Sequence, residues 1–231
     1  MCLIIHKPKD VQIHPDLLNS ACQYNPHGYG LMALSGPQKI RVLRRSHTHF
    51  GELYKNYLQV ANYECVIHLR LRTRGNITQS NTHPFRVSDS IYMAHNGTLD
   101  VHCRLPGRSD SWHIANDYLN PLLGKNARIL YDDAFQRKLA TEIGPNNRLV
   151  FMDAKQRETI IINKQFGVEY QGLWLSNTKW FDAARFGLAI NDQPSQPQTF
   201  SEITRFKPFS GCDRSKISHT NRKIVCKRHA A

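Results

Sequence analysis

The amino-acid sequence predicts a mixed α/β protein in which a sheet and helices form at least two layers. Many short apolar segments have the spacing of strands, and two or three segments have the spacing of helices. The 231 residues are 40% hydrophobic and 21% charged, a composition that supports a buried core and excludes a wholly disordered chain. This length suits one large domain, or one domain with an appendage.

The first third of the chain predicts short strands and two helices. Residues 2–6 are apolar and end before Lys7 and Pro8, which is typical of a short buried strand. Pro15 and the apolar residues after it predict a helix over 14–23. Further strands are predicted at 31–34 and 39–44, and a second helix at 50–61.

Residues 64–72 alternate between apolar side chains and a second set that includes His68, Arg70 and Arg72. This pattern predicts a strand with one polar, cationic face. The arginines of such a face can bind a carboxylate, or the face can simply be solvated.

The second half of the chain predicts more strands and helices. Its predicted elements are a loop at 75–84, a strand at 90–94, a turn at 95–97, a helix starting at 109–110, a helix at 132–143, a hairpin of 148–152 and 159–162, and a strand at 172–175.

The last part of the sequence is basic. Residues 192–198 resemble a linker, and residues 201–231 hold eight Lys or Arg against Glu202 and Asp213. With a net charge of +13 for the whole chain, this tail predicts nucleic-acid binding as a competing function. A solubilising extension and a segment ordered by a partner protein remain alternatives.

The six cysteines are spread over the chain without a C-x-x-C pair, and no signal peptide or membrane segment is evident. We therefore expect a cytoplasmic protein without structural disulfides, in which Cys22, Cys65 and Cys103 are small buried side chains. His47 and His49 lack the spacing of a metal site, so no metal or cofactor is expected.

Cys2 is a candidate nucleophile because of its position. Removal of Met1 would leave a thiol and a free amine on one residue. Because an amine at the N-terminus has a pKa of about 7.7–8.0, it can accept the thiol proton as a general base. The chance occurrence of a cysteine at this position remains the alternative.

Three other positions carry groups that an amide-cleaving site needs. Asn96 and Gly97 offer a side-chain amide and an accessible backbone N–H for an oxyanion hole, although Asn-Gly is also an ordinary hairpin turn. Asp110 can hold an ammonium group or cap a helix.

In their order and spacing, these fragments resemble the class II glutamine amidotransferase domain, a family of N-terminal-nucleophile (Ntn) hydrolases. The resemblance covers roughly residues 2–180. It is carried by Met1-Cys2, His27-Gly-Tyr-Gly30, the His-x-Arg-x-x-Thr-x-Gly motif from His68 to Gly75, Asn81-Thr-His83-Pro84, His95-Asn96-Gly97 and Ser109-Asp110.

The resemblance implies an α+β fold, a four-layer α-β-β-α sandwich of two mainly antiparallel sheets, over residues 2–190. Residues 191–231 would add a linker and basic tail. Cys2 would attack the side-chain amide of glutamine, giving a γ-glutamyl thioester, then ammonia and glutamate. The implied catalytic residues are Cys2, Asn96 and Gly97, and the implied substrate-binding residues are Arg70, Thr73, His83, His95 and Asp110. Among the histidines, His68 and His83 are expected to orient loops by hydrogen bonding.

Two departures from the family pattern concern the substrate. Many members carry a large residue at Leu71 and a histidine at Arg74. Since these positions help to close the site, another γ-glutamyl amide is an alternative to glutamine. No synthase domain is evident in the sequence, so we expect a stand-alone amidohydrolase that gives ammonia to a separate synthase.

Overall fold

The computed structural model describes residues 2–179 and 183–188, which form ten strands and five α-helices. The strands are β1 Leu3–Lys7, β2 Tyr29–Gly36, β3 Lys39–Arg45, β4 Cys65–Leu69, β5 Phe85–Arg86, β6 Ile91–Asn96, β7 Arg148–Asp153, β8 Glu158–Ile162, β9 Val168–Tyr170 and β10 Leu173–Leu175. The helices are α1 Pro15–Tyr24, α2 Phe50–Leu58, α3 Asp110–His113, α4 Asn120–Lys125 and α5 Asp133–Ile143, with a π-helical segment, Ile114–Leu119, joining α3 to α4.

The strands form two antiparallel sheets. The six-stranded sheet has the order β3-β2-β4-β1-β10-β9, and the four-stranded sheet has the order β5-β6-β7-β8. The first strand, β1, therefore lies inside its sheet, where Leu3 pairs with Leu69 on one side and Ile5 pairs with Leu175 on the other.

Three separate apolar clusters show that the sheets and helices make four layers. Leu3 and Ile5 of β1 pack on the side of α1 and α2, whereas Ile4 points to a middle cluster shared with Val150 of the other sheet. The third cluster lies between the four-stranded sheet and the helical layer that includes α5. The predicted α+β, four-layer α-β-β-α sandwich is thus confirmed.

Local sequence explains where the longest helices begin and end. Pro15 starts α1, and the His14 side chain accepts a hydrogen bond from the Asp16 N–H. Asp132 caps α5 by accepting from the backbone N–H groups of Ala134 and Phe135. Gly144, with φ of +72°, ends this helix.

Several predicted boundaries are wrong, three of them near the candidate site or in the second helix. The strand expected over 64–72 ends at Leu69, and the Arg70 N–H that follows still bonds to the carbonyl of Gly28, the residue just before the neighbouring strand. The turn expected at 95–97 is largely strand, since β6 continues through Asn96, which pairs with Arg148. The second helix ends at Leu58 rather than at 61.

Some expectations concern parts of the chain outside this description. The linker and tail, residues 191–231, lie outside the described residues. Within the described residues, Cys2, Cys22, Cys65 and Cys103 form no disulfide bond. Cys22 and Cys65 are buried as predicted, but Cys103 is exposed. No helix in the described ranges is long and apolar enough to cross a membrane.

Candidate active site

Cys2 lies at the entrance to the central strand β1 and is held there by two contacts. Its thiol lies 3.4 Å from the carbonyl oxygen of Leu71, and its own carbonyl accepts a hydrogen bond of 2.9 Å from Asn177 Nδ2. Burial raises the pKa of the Cys2 thiol, and the positive charge of Arg70 opposes that shift. A thiol in this position needs a nearby base to become a nucleophile.

Asn96 and Gly97 lie at the end of β6, in the other sheet. Gly97 has a φ of +137°, and a Cβ atom there would be 2.1 Å from Asn147 Oδ1, so the backbone position requires glycine. Asn96 Nδ2 lies 2.8 Å from the Ser176 hydroxyl oxygen, which also accepts a 2.8 Å bond from the Ile4 N–H. One serine therefore connects Asn96 to β1, the strand directly after Cys2.

Arg70 is buried rather than part of a solvated face. Its guanidinium donates to the carbonyls of Arg74 and Asn76, at 3.0 Å each, so it supports the loop that follows it. Since a guanidinium has five N–H donors, others remain for a ligand. Burial lowers the pKa of Arg70, and the nearby Asp110 carboxylate opposes that shift.

Thr73 is exposed in this same loop. Gly75, two residues further on, has a φ of +71°, and a Cβ atom there would be 2.7 Å from the Ser109 nitrogen. The loop after Arg70 thus packs directly against the start of α3, where Asp110 lies.

Asp110 is the first residue of α3, and Ser109 is the cap of that helix. The carboxylate is buried and accepts hydrogen bonds from the backbone N–H groups of Leu99, at 2.7 Å, and Ser111, at 2.9 Å. Asp110 therefore fixes the loop between Gly97 and the helix. Its charge also acts on both Cys2 and Arg70, which places all three in one electrostatic environment.

His68, His83 and His95 form a buried row behind these groups. The rings of His68 and His83 lie 4.1 Å apart, and those of His83 and His95 lie 6.4 Å apart. Burial and neighbouring positive groups lower the pKa of His68 to about 3 and that of His83 well below its usual range. These two imidazoles are therefore neutral at physiological pH.

The individual contacts of these histidines differ. His95 uses both ring nitrogens, one with Ser111 Oγ at 2.7 Å and the other with Asn147 Oδ1 at 2.9 Å. Among the described residues, no side chain or backbone group lies within hydrogen-bond geometry of the ring nitrogens of His68 and His83. The described residues give no side-chain hydrogen bond by which these two histidines would orient a loop, and their rings pack against each other instead.

Four residues that the sequence did not single out as site residues hold the predicted ones in place. Ser176 and Asn177 follow β10 and contact Asn96 and Cys2. Asn81 binds the backbone of Asn76, Gly107 and Ser109, joining the loop after Arg70 to the start of α3. Asn147 binds His95 and, through Nδ2, the Ile143 carbonyl. Asn81 belongs to the Asn81-Thr-His83-Pro84 motif of the sequence. No motif in the sequence around Ser176, Asn177 or Asn147 marks those residues.

The sequence also matches the model of one protein family. The family model of the class II glutamine amidotransferases matches residues 20–149, more than half of the chain. The chain belongs to this family. The class II glutamine amidotransferase match includes Arg70, Asn96 and Asp110, whereas Cys2 and Ser176 lie outside the matched range. Hydrolysis of the glutamine side-chain amide is the chemistry of this family.

The solved structures that match this chain include three amidotransferase proteins. Glutamine phosphoribosylpyrophosphate amidotransferase from B. subtilis is 11% identical, with a TM-score of 0.39 over 76% of this chain and 41% of its own. A glutamine aminotransferase class-II domain protein from Silicibacter pomeroyi is 13% identical, with a TM-score of 0.37 over 67% and 73% of the two chains.

A predicted glutamine amidotransferase from Pseudomonas aeruginosa is 16% identical, with a TM-score of 0.36 over 66% of this chain and 65% of its own. The match to the B. subtilis enzyme covers less than half of the length of that enzyme. No curated protein matches the sequence. The family assignment therefore rests on the sequence match over residues 20–149.

Proposed function

We propose that this protein is a glutamine-hydrolysing amidohydrolase whose nucleophile is Cys2, exposed as the first residue by removal of Met1. The observation that carries the proposal is the pair of bonds at Ser176, which connect β1, the strand directly after Cys2, to Asn96. An amide-cleaving site needs a nucleophile and an oxyanion donor in a fixed relation, and one buried hydroxyl supplies that link.

The proposed reaction uses the free amine of Cys2 as its own base. The amine accepts the thiol proton, and the sulfur attacks the amide carbon of glutamine. The side chain of Asn96 and the backbone N–H of Gly97 stabilise the negative oxygen that forms. The carbon–nitrogen bond then breaks, and the leaving nitrogen takes the proton from the Cys2 ammonium and departs as ammonia. Water hydrolyses the resulting γ-glutamyl thioester, which releases glutamate and restores the thiol.

Arg70 and Asp110 are proposed to bind the charged end of glutamine. Arg70 has donors left after its two bonds to the loop, and a guanidinium can bind the α-carboxylate through two of them. Asp110 carries the opposite charge for the α-ammonium. Thr73, exposed in the loop after Arg70, is proposed to add a hydroxyl contact to the carboxylate.

His83 and His95 are proposed to support substrate binding by positioning other groups. His95 orients Asn147, whose side chain lies against Gly97, and it also contacts Ser111 beside Asp110. The carbonyl of His83 lies where a Cβ atom on Gly30 would be, at 1.7 Å, so this loop approaches the six-stranded sheet as closely as glycine permits.

The destination of the ammonia is also a proposal. We infer that residues 2–190 act as a stand-alone catalytic domain and that ammonia passes to a separate synthase. Leu71 and Arg74 stand where many relatives have a large residue and a histidine, so another γ-glutamyl amide is the alternative substrate. A glutaminase assay on the isolated protein, with a panel of γ-glutamyl amides, separates these cases.

The decisive test is Cys2→Ala in the full chain. We expect ammonia release from glutamine to fall by about 10³-fold or more, because the covalent route is lost. Cys103→Ala, which removes an exposed cysteine, is the control and should keep full activity. Intact mass spectrometry should show that active protein lacks Met1 and that an electrophilic glutamine analogue adds once, at Cys2. Active protein that retains Met1 would contradict the proposed base.

Arg70→Lys tests substrate binding. We expect the KM for glutamine to rise about tenfold with a smaller change in kcat, since a lysine cannot make the two-point contact. Arg72→Lys, an exposed arginine two residues away, should leave KM unchanged. An unchanged KM for Arg70→Lys would show that this arginine does not bind the carboxylate.

Contact with nucleic acid through residues 201–231 is a second candidate function. It is favoured by the eight Lys or Arg in that segment, against two acidic residues. The full-chain Cys2→Ala variant should bind nucleic acid as tightly as the natural protein, with an affinity that falls steeply with salt. Absence of salt-dependent binding would remove this candidate.

A further inference from the structure

Ser176 receives more hydrogen-bond donors than its oxygen can accept. The Ile4 N–H and Asn96 Nδ2 each lie 2.8 Å from Ser176 Oγ, and Asn177 Nδ2 lies 3.4 Å from it. A serine hydroxyl has two lone pairs and one proton to donate. Ser176 is fully buried, and none of the described hydrogen bonds gives its proton an acceptor.

The side-chain oxygen of Asn96 has the opposite problem, because it is an acceptor without a donor. Asn96 Oδ1 is buried and has no hydrogen-bond donor within the described part of the chain. A buried carbonyl oxygen without a donor is unfavourable, and so is a buried hydroxyl proton without an acceptor. The two unsatisfied groups belong to side chains that already touch.

A half-turn of the Asn96 carboxamide satisfies both groups. The oxygen and nitrogen ends of a carboxamide have nearly the same shape, so hydrogen bonding decides which end faces the hydroxyl. With Oδ1 towards Ser176, the hydroxyl donates its proton to Oδ1 and still accepts from the Ile4 N–H. Asn96 Nδ2 then occupies the place where Oδ1 had no partner.

We propose that Ser176 is a positioning residue that holds the Asn96 carboxamide in this orientation, with Nδ2 directed at the oxygen of the amide being cleaved. This inference rests on the proposed function and adds to it the group that orients the oxyanion donor. Because the same hydroxyl accepts from Ile4, two residues after Cys2, the donor and the nucleophile keep a fixed relation.

The role predicts a specific kinetic effect. A donor to the oxyanion acts on the transition state and hardly on bound glutamine, so its misorientation lowers kcat and leaves KM nearly unchanged. We expect Ser176→Ala to lower kcat about tenfold, with KM changed less than about twofold. Ser176→Thr, which keeps the hydroxyl, should recover most of the lost rate.

Ser20→Ala is the matched control, since Ser20 is also a buried serine but lies in α1, in the outer helical layer. It should keep the natural kcat. An unchanged kcat in Ser176→Ala, or a rise in KM that accounts for the loss, would overturn the proposal. Thermal unfolding of each variant confirms that the compared proteins are folded.

A second measurement needs no turnover and uses only the natural protein. If Asn96 Nδ2 faced Ser176, the asparagine amide protons would give a strong nuclear Overhauser effect to the Ser176 β-protons. We expect this cross-peak to be weak or absent in protein with ¹⁵N-labelled asparagine. A strong cross-peak would overturn the proposed orientation. Absence of glutaminase activity with a weak cross-peak would instead contradict the proposed function and leave the orientation standing.

Discussion

The two sides of the candidate site are held by different kinds of bonds. On the six-stranded side, main-chain pairing places Cys2, because β1 has hydrogen-bonded neighbours along both edges. On the four-stranded side, Asn96 has one main-chain partner among the described strands, Arg148 of β7, and β5 reaches no further than Met93. Beyond Asn96 the position of the chain depends on side chains.

Those side chains form one connected polar group. His95 joins Ser111 to Asn147, Asn147 lies against Gly97, and Asp110 holds the backbone of Leu99. The comparison indicates that substitutions at positions packed within the six-stranded sheet itself, away from Cys2 and Ser176, will act mainly on folding. Substitutions in the polar group will act on the site at a smaller cost in stability.

Gly30→Ala should destabilise the six-stranded sheet and should lower the free energy of unfolding more than the other changes considered below. A Cβ atom at Gly30 would be 1.7 Å from the His83 carbonyl oxygen, a backbone atom that can move only with its whole loop. We expect the free energy of unfolding to fall by about 3 kcal/mol or more. Urea denaturation measures this.

The control for this change is Gly124→Ala, because a Cβ atom there meets nothing within 4 Å. As Gly124 lies in α4, alanine should leave stability unchanged or raise it by up to about 1 kcal/mol. Equal stability in the two variants would show that the close approach of His83 to β2 is unimportant.

Asn147→Ala tests the four-stranded side and should have an intermediate effect. The change leaves one ring nitrogen of His95 and the Ile143 carbonyl without the bond that Asn147 makes to each, which we expect to cost about 1–3 kcal/mol of unfolding free energy. Because Asn147 also lies against Gly97, glutaminase activity should fall further than the fraction of folded protein.

Asn146→Ala is the matched control, since this neighbouring asparagine is exposed. It should change neither stability nor activity. Loss of stability with full specific activity in Asn147→Ala would show that the polar group supports the fold but not the site.

The smallest effect concerns pH and the buried histidines. An unfolded histidine titrates near pH 6.5, whereas burial lowers the pKa of His68 to about 3 in the folded protein. Between these values the unfolded chain binds a proton that the folded protein does not. The free energy of unfolding therefore falls as pH falls, by about 1.4 kcal/mol per pH unit for one such group.

His68→Phe should reduce the pH dependence of the unfolding free energy by the contribution of about one proton. His83 should still contribute a similar amount to this pH dependence, because burial also lowers its pKa. Urea denaturation at about pH 7 and about pH 5 measures the slope. An equal slope in His68→Phe and the natural protein would mean that His68 becomes protonated within the folded protein.

Much of the fold followed from local patterns. Alternation in residues 65–69 and the apolar run at the N-terminus gave the two central strands, and Asp132 and Gly144 bracketed a helix close to its actual length. Strand ends were less predictable. The alternation continues to Arg72, but the regular ladder with β2 ends at the pair of Tyr29 and Leu69, and Arg70 extends it only by main-chain bonds to Gly28 and His27.

The sequence by itself determined the fold class, the family and the residue types that amide hydrolysis needs, since each depends on local spacing and on ordered motifs. Only the tertiary structure decided that Ser176, Asn177 and Asn147 hold Cys2, Asn96 and His95 in place. The physical reason is distance along the chain. These hydrogen bonds join residues from about 50 to 175 positions apart, and a polar side chain finds such a partner only after the sheets and loops have packed.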